Sequence, residues 1–162
     1  MHVYLDTSGL VKRYVEEEGT EVIDRLYEET EAGRATTSFS IWNIGEALGV
    51  LDRYHTRGLL SEDELHKSFR SLASETVKMI RLGSLQVLPI TSGSLVESWT
   101  LVLRHHIYAA DALQISGARE AGCDLFLAAD RRLVKVATEE GIEAIDIETE
   151  QESAWERING AT

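Results

Sequence analysis

The chain has 162 residues, 43% of them hydrophobic and one of them proline, which is long enough for one well-filled core and short for two. A single cysteine, Cys123, excludes an internal disulfide and a cysteine-based zinc cluster. No stretch has the length and apolar purity of a membrane helix, and the start MHVYLDTSG lacks the basic and apolar regions of a signal peptide. We therefore expect a soluble, cytoplasmic protein with no membrane partner.

The formal net charge of −12 at first weakens any nucleic-acid function, because such binding usually depends on Lys and Arg neutralising phosphates. The acids, however, are concentrated in two blocks. Residues 16–31 and residues 139–157 each carry eight acids against one base, a contribution of −7 each, which leaves +2 for the rest of the chain. Such blocks are most simply solvated helix faces or tails, so the acidic total does not exclude a nucleic-acid substrate.

Short apolar runs with strand character alternate along the chain with segments of helical period. The five predicted strands lie at residues 2–5, 35–38, 85–90, 124–128 and 143–147. A helix-like pattern follows the first strand directly, and longer helical segments lie at residues 19–33, 40–58, 61–83, 92–106, 109–122 and 131–141. The alternation predicts an α/β fold with a mostly parallel sheet covered on both faces.

Residues 40–83 contain two long helical segments with no convincing strand between them. The second segment begins at a Ser-x-x-Glu capping box, Ser61 to Glu64, and ends at Gly83. This arrangement predicts a helical hairpin that lies beside the sheet.

Four carboxylates stand out by position. Asp6 follows the first strand, Asp130 follows the fourth, and Asp111 lies at the start of an apolar helix. Glu46 lies among apolar or small neighbours in IWNIGEALGVL, so it faces either the sheet or a cleft. A lone buried carboxylate is costly and is usually neutralised or paired. Each acid also has a structural interpretation, because the aspartates could be N-caps and Glu46 could bond a backbone amide or an arginine.

The predicted topology brings these acids together. Asp6 and Asp130 lie beyond the carboxyl ends of parallel strands and hence at the same edge of the sheet, which Asp111 can also reach. Four carboxylates within a few ångströms repel one another unless a cation lies among them, and oxygen ligands favour Mg²⁺ or Mn²⁺. Such an ion activates a bound water and stabilises charge on a phosphoryl oxygen. The pattern therefore predicts a metal site that hydrolyses phosphodiesters.

The segments LDTSGLVKRY, SIWNIGEAL, YAADALQISGA and FLAADRRLVKVATEEGIEAI resemble the four acidic motifs of PIN domains, especially those of VapC-type toxin ribonucleases. The motifs occur in the family's order, and the resemblance extends from Met1 to about Ile147. It implies a PIN-like three-layer α/β/α sandwich and an endoribonuclease that depends on Mg²⁺ or Mn²⁺. The catalytic, metal-binding carboxylates that it implies are Asp6, Glu46, Asp111 and Asp130.

Two positions beside the acids extend the comparison. Ser8 matches the hydroxyl position two residues after the first acid, which implies that it supports Asp6 without binding the metal itself. Many members of the family have Thr or Ser two residues before the last acid, where this chain has Ala128. This departure and the acidic surface leave an alternative open, namely a PIN-like module that binds nucleic acid or a protein partner with weak or no catalysis.

Four basic residues follow the proposed acids closely and could surround the cleft with positive charge. They are Lys12, Arg13, Arg131 and Arg132. RNA contact and ordinary surface placement both remain open for them.

We therefore predict a metal-dependent endoribonuclease that acts on RNA as the toxin of a toxin–antitoxin pair. The nuclease domain is expected to span residues 1–147, followed by an acidic C-terminal tail of residues 148–162. The resemblance and the apolar stripe of the hairpin at residues 40–83 both favour a homodimer. An antitoxin protein is expected to cover the cleft and to place a basic side chain among the carboxylates.

Overall fold

The structure, a computed structural model, describes residues 1–160, and within them five strands alternate with eight helices. The strands are β1 (His2–Leu5), β2 (Thr36–Ser40), β3 (Leu85–Leu88), β4 (Leu125–Ala128) and β5 (Ala144–Asp146). The helices are α1 (Thr7–Val11), α2 (Thr20–Glu31), α3 (Ile41–Thr56), α4 (Glu62–Leu82), α5 (Ser92–His105), α6 (Ala109–Ala121), α7 (Arg131–Glu139) and α8 (Gln151–Asn159). The predicted α/β class is confirmed.

The strands form one sheet in the order β3-β2-β1-β4-β5, and every neighbouring pair in these described strands is parallel. The register sets Leu5 of β1 beside Leu127 of β4, and the Asp6 backbone N–H donates to the Leu127 carbonyl over 3.0 Å. The two central strands therefore end at the same level. Residues that follow β1 and β4 meet at one edge of the sheet.

Helices cover both faces of the sheet. Successive side chains of a strand point to opposite faces, so neighbouring residues of β1 pack against different helices. Val3 and Leu5 join a hydrophobic cluster with residues of α1–α4 and α8, whereas Tyr4 joins a second cluster with residues of α5–α7. All three side chains are fully buried. The Tyr4 ring stacks on Phe126 of β4 with ring centroids 5.8 Å apart. The predicted three-layer α/β/α sandwich is confirmed.

The helical hairpin consists of α3 and α4. The capping box predicted at the start of α4 is present, with the Ser61 N–H donating to Glu64 Oε2 and the Glu64 N–H donating to Ser61 Oγ. At the start of α3, the Asn43 amide donates to the Leu5 carbonyl over 3.1 Å. This contact fixes α3 against the end of β1 and so determines where Glu46, about one turn later, lies. No helix within residues 1–160 combines the length and the apolar character needed to cross a bilayer.

The interpretation of residues 148–162 as an acidic tail is wrong for most of that segment. Residues 151–159 form α8, which packs against α2, and its Ala154 and Ile158 are buried members of the hydrophobic core. Their i, i+4 spacing gives the helix one narrow apolar face, while exposed acids such as Glu152 and Glu156 occupy the other. Because acids dominate the composition of this segment, its short apolar face is not evident from the sequence. Residues 161 and 162 lie outside the described residues.

Candidate active site

A cleft of about 520 Å³ opens at the edge of the sheet where β1 and β4 end. Four separate segments of the chain contribute side chains to it: the segment after β1, helix α3, the first turn of α6 and the segment after β4. All four carboxylates singled out in the sequence line this cleft: Asp6, Glu46, Asp111 and Asp130. The structure thus brings together acids that are distant in sequence, and their role as metal ligands stays a prediction.

Asp6 is the most buried of these carboxylates, with 6% of its surface exposed. Ser8 donates to its Oδ2 atom twice, from the hydroxyl over 2.6 Å and from the backbone N–H over 2.9 Å. Burial raises the pKa of Asp6 to about 6, although the hydrogen bonds from Ser8 act in the opposite direction. The Ser8 hydroxyl also accepts from the Ala129 backbone N–H over 2.8 Å, so it joins the loops that carry the first and last acids. This link forms without a hydroxyl at position 128.

Asp111 and Asp130 form the other side of the cleft. Asp130 is the N-cap of α7, where its Oδ1 atom accepts from the backbone N–H groups of Arg132 and Leu133. Asp111 is not an N-cap, because Tyr108 occupies the N-cap position of α6, without a capping bond from its side chain, and Asp111 lies in the first turn. Burial raises the pKa of Asp111, and the negative charge of Asp130 raises it further. The cap interpretation is therefore correct in geometry for Asp130 and incorrect for Asp111.

Glu46 points into the cleft and not at the sheet. Its Oε2 atom accepts from the Thr7 hydroxyl over 2.7 Å and from the Gln114 amide nitrogen over 3.2 Å. Neither partner was expected from the sequence. Gln114 could have been noticed, because it is a polar residue one turn after Asp111 within an otherwise apolar helix, and it is 2% exposed.

The family model of the PIN domain matches residues 3–139. The chain belongs to the PIN domain family. No curated protein matches its sequence. The family predicted from the four motifs is confirmed, and all residues that line the cleft lie within the matched range. Strand β5 and helix α8 lie beyond it and complete the fold.

Solved structures with this PIN fold share little sequence with the chain. PAE2754 from Pyrobaculum aerophilum aligns with a TM-score of 0.67 and 18% identity over 99% of this chain and 90% of its own. VapC20 from Mycobacterium tuberculosis, described as a sarcin–ricin loop cleaving toxin, aligns with a TM-score of 0.60 and 16% identity over 89% and 97%. FitAcB from Neisseria gonorrhoeae aligns with a TM-score of 0.61 and 14% identity over 90% and 97%. At these identities the likeness establishes the fold.

The carboxylates of this PIN cleft have the donor chemistry that suits a hard divalent cation, because all four offer oxygen atoms. Besides burial, the charge of Glu46 raises the pKa of both Asp6 and Asp111, so Glu46 repels each of these aspartates across the cleft. A cation among them would offset that repulsion. Within residues 1–160 no three Asp, Glu, His or Cys groups already have the spacing of a metal cage, so ligation requires side-chain rotation.

Lys12 and Arg13, for which RNA contact and surface placement were both open, do not line the cleft. Lys12 is 2% exposed, and its ammonium group donates to Glu148 over 2.7 Å and to Glu17 over 3.2 Å. Arg13 forms ion pairs with carboxylates of α2 and α4 and lies over the Tyr27 ring. Both side chains join parts of the fold to one another through these ion pairs.

The two arginines that follow Asp130, Arg131 and Arg132, lie in different surroundings. Arg131 is exposed and pairs with Asp146 of β5, outside the cleft. Arg132 is close enough to Asp111 for its charge to lower the pKa of that carboxyl, and it donates to the His106 carbonyl over 2.5 Å. Arg53 of α3 lines the cleft and was missed in the sequence, where nothing distinguishes it from other helical arginines. Arg53 therefore brings positive charge into the cleft lining, and Arg132 brings it near Asp111 at the margin of the cleft.

Proposed function

We propose that this PIN-domain protein is an endoribonuclease that uses Mg²⁺ or Mn²⁺ to hydrolyse RNA phosphodiesters in the cytoplasm. The observation that supports this function best is the arrival of four carboxylates from four separate segments in one cleft. A purely structural role does not call for this arrangement, because each buried acid costs free energy and each raises the cost of the next.

A divalent cation bound by Asp6, Glu46, Asp111 and Asp130 would supply an activated water and offset charge on the phosphate. The remaining residues of the cleft orient these ligands and the substrate. Ser8 holds the Asp6 carboxylate through two hydrogen bonds. Arg53 and Arg132 provide cationic groups for phosphates of the RNA strand. The Asp130 carboxylate is oriented by the first turn of α7.

The direct test is cleavage of a total RNA pool, which includes ribosomal RNA, with Mg²⁺ or Mn²⁺ and with EDTA. We expect discrete fragments with the metal, none with EDTA, and none with Asp111→Asn in either condition. Glu120→Gln is the matched control, because Glu120 is an exposed carboxylate on the same helix and lies outside the cleft. Undiminished cleavage by Asp111→Asn would contradict the proposed site. Sequencing the fragment ends would identify the preferred RNA.

The alternative function is a PIN module that binds nucleic acid or a protein without cleaving it. One observation favours it, namely that the carboxylates do not already have the spacing of a metal cage. Titration with Mn²⁺ by calorimetry separates the two functions, since a pure binding module has no need of the ion. Binding to the wild type that is lost in Asp111→Asn supports the nuclease.

We further propose that the protein is the toxin of a toxin–antitoxin pair. The support is the PIN family membership together with the fold shared with VapC20, which is itself described as a toxin. An antitoxin segment that places an Arg or Lys among the carboxylates would act as a substitute for the cation. Expression of the chain alone should arrest growth, and expression of Asp111→Asn should not.

A homodimer is the last part of the proposal. The hairpin exposes large apolar side chains, including Ile41, Trp42 and Leu48 on α3, and α5 adds Trp99, which is 60% exposed, and Leu103, which is 77% exposed. Exposed apolar patches of this kind are typical of interfaces. A dimer mass by light scattering at micromolar concentration is the expected result, and a monomer mass would contradict it.

A further inference from the structure

A chain of hydrogen bonds runs from the centre of the sheet to the Glu46 carboxylate. The hydroxyl of Tyr4, which is fully buried on β1, donates to Gln114 Oε1 over 3.2 Å. The Gln114 amide nitrogen then donates to Glu46 Oε2 over 3.2 Å and lies 3.5 Å from the Thr7 hydroxyl. The buried core is thus connected to a carboxylate of the cleft.

The direction of these bonds follows from what each group can do. Glu46 as a carboxylate only accepts, so the Gln114 nitrogen must face it, and the Gln114 oxygen must face the Tyr4 hydroxyl. A reversed amide would place two acceptors against each other. The Glu46 carboxylate therefore selects the amide orientation, and the Tyr4 hydroxyl, which can donate or accept, stabilises that orientation by donating to Gln114 Oε1.

Thr7 supplies a second donor to the same carboxylate oxygen over 2.7 Å. Both donors bind Oε2, and Oε1 accepts no hydrogen bond from residues 1–160. This arrangement anchors Oε2 while Oε1 stays available to a ligand in the cleft. Without the two donors, repulsion from Asp6 and Asp111 would favour rotation of the long Glu46 side chain away from them.

Gly117 makes room for the Tyr4 hydroxyl. It lies on α6 three residues after Gln114, on the same side of the helix. A Cβ atom at this position would lie 2.4 Å from the Tyr4 hydroxyl oxygen and 3.0 Å from the ring carbon that bears it. Any larger residue at position 117 would displace the Tyr4 hydroxyl from Gln114.

We propose that Thr7 and Gln114 are positioning residues that hold the Glu46 carboxylate for metal binding, and that Tyr4 and Gly117 hold Gln114 in turn. The inference rests on the proposed function, because it takes Glu46 as a metal ligand. Residues that orient a ligand in this way typically change metal affinity 10- to 100-fold when they are removed.

The test compares Mn²⁺ affinity by calorimetry in five proteins. Thr7→Val removes the hydroxyl at constant volume, and Gln114→Leu removes the amide, so each should weaken Mn²⁺ binding by about tenfold or more. Thr7→Ser keeps the hydroxyl and should recover most of the wild-type affinity. Ser116→Ala is the control, because Ser116 is buried on the same helix and its hydroxyl has no hydrogen-bond partner within residues 1–160.

A second measurement does not require the metal. Crystals of the wild type and of Thr7→Val grown in EDTA should differ in the Glu46 carboxylate, ordered in the first and rotated or disordered in the second. Thr7→Val is isosteric, so it keeps the test valid if Gln114→Leu fails to fold.

The outcomes separate the positioning role from the function on which it rests. If the wild type binds Mn²⁺ and both variants bind it equally well, the positioning role is refuted and the nuclease proposal survives. If the wild type binds no Mn²⁺ and cleaves no RNA, the proposed function fails, and the EDTA crystals still decide whether Thr7 orients Glu46. An unchanged Glu46 carboxylate in Thr7→Val would overturn the inference in either case.

Discussion

Replacement of Asp6 by Asn should make the metal-free protein more stable at neutral pH while abolishing cleavage. Asp6 is 6% exposed, and its pKa is raised by burial from an ordinary value of 3.8 to about 6. The folded chain therefore keeps its proton at pH values where the unfolded chain has already lost it. As the pH rises from about 4 to above 6, the free energy of unfolding therefore decreases by the amount that corresponds to the difference between the folded and unfolded pKa values of Asp6.

The size of the effect follows from the two pKa values. A difference of about 2 units corresponds to about 3 kcal/mol, since each unit is worth about 1.4 kcal/mol. At pH 4 Asp6 is protonated and neutral, as Asn is, so this charge effect should contribute little to any difference in the free energy of unfolding between the two proteins. At pH 8 the wild type should have lost about 3 kcal/mol relative to Asp6→Asn, so the stability gap between the proteins should widen with pH in favour of the variant.

Urea denaturation in EDTA across pH 4.5 to 8 measures this gap directly. Addition of saturating Mg²⁺ should then stabilise the wild type more than the variant, because only the wild type keeps the full set of oxygen ligands. Parallel pH profiles for the two proteins in EDTA would refute the reasoning, since they would mean that burial does not perturb Asp6. A gap that closes as the pH rises would refute it equally.

Three further outcomes are expected. Ile158→Ala should lower the free energy of unfolding by about 2–5 kcal/mol, measured by urea denaturation, because it opens a cavity in the core. Glu152→Ala, at an exposed position of the same helix, should change stability little. Equal effects of the two substitutions would restore the tail interpretation. Arg132→Ala should weaken RNA binding and reduce its salt dependence, while Lys135→Ala on the same helix should not, as measured by fluorescence anisotropy over a salt series. Trp99→Glu should shift the light-scattering mass to that of a monomer without changing the circular dichroism spectrum, and a dimer that persists would place the interface elsewhere.

The strands and the principal helices could be predicted from the sequence because their signals are local. Every strand except β2, which is rich in Thr and Ser, is a short and mainly apolar run, and the start of α4 is marked by Ser61 and Glu64 within a single turn. The position of Asp6 and Asp130 directly after strands was also a local signal. Once the sheet is parallel, those positions alone place both acids at the same edge, so the cleft was predictable before its geometry was known.

The contacts that position those acids were decided by the tertiary structure. Gln114 donates to Glu46 from a different helix, 68 residues away in sequence, and Lys12 is buried against Glu148, 136 residues away. The spacing marks Gln114 as a polar residue one turn after Asp111 but does not show that it bonds Glu46, and nothing in the sequence distinguishes Lys12 from an RNA contact. The sequence by itself determined which segments form strands and helices and which acids follow them, because periodicity and capping act within a few residues. Only the folded chain decided which polar groups lie within hydrogen-bonding distance of one another, because a hydrogen bond depends on the relative placement of whole elements that local pattern does not encode.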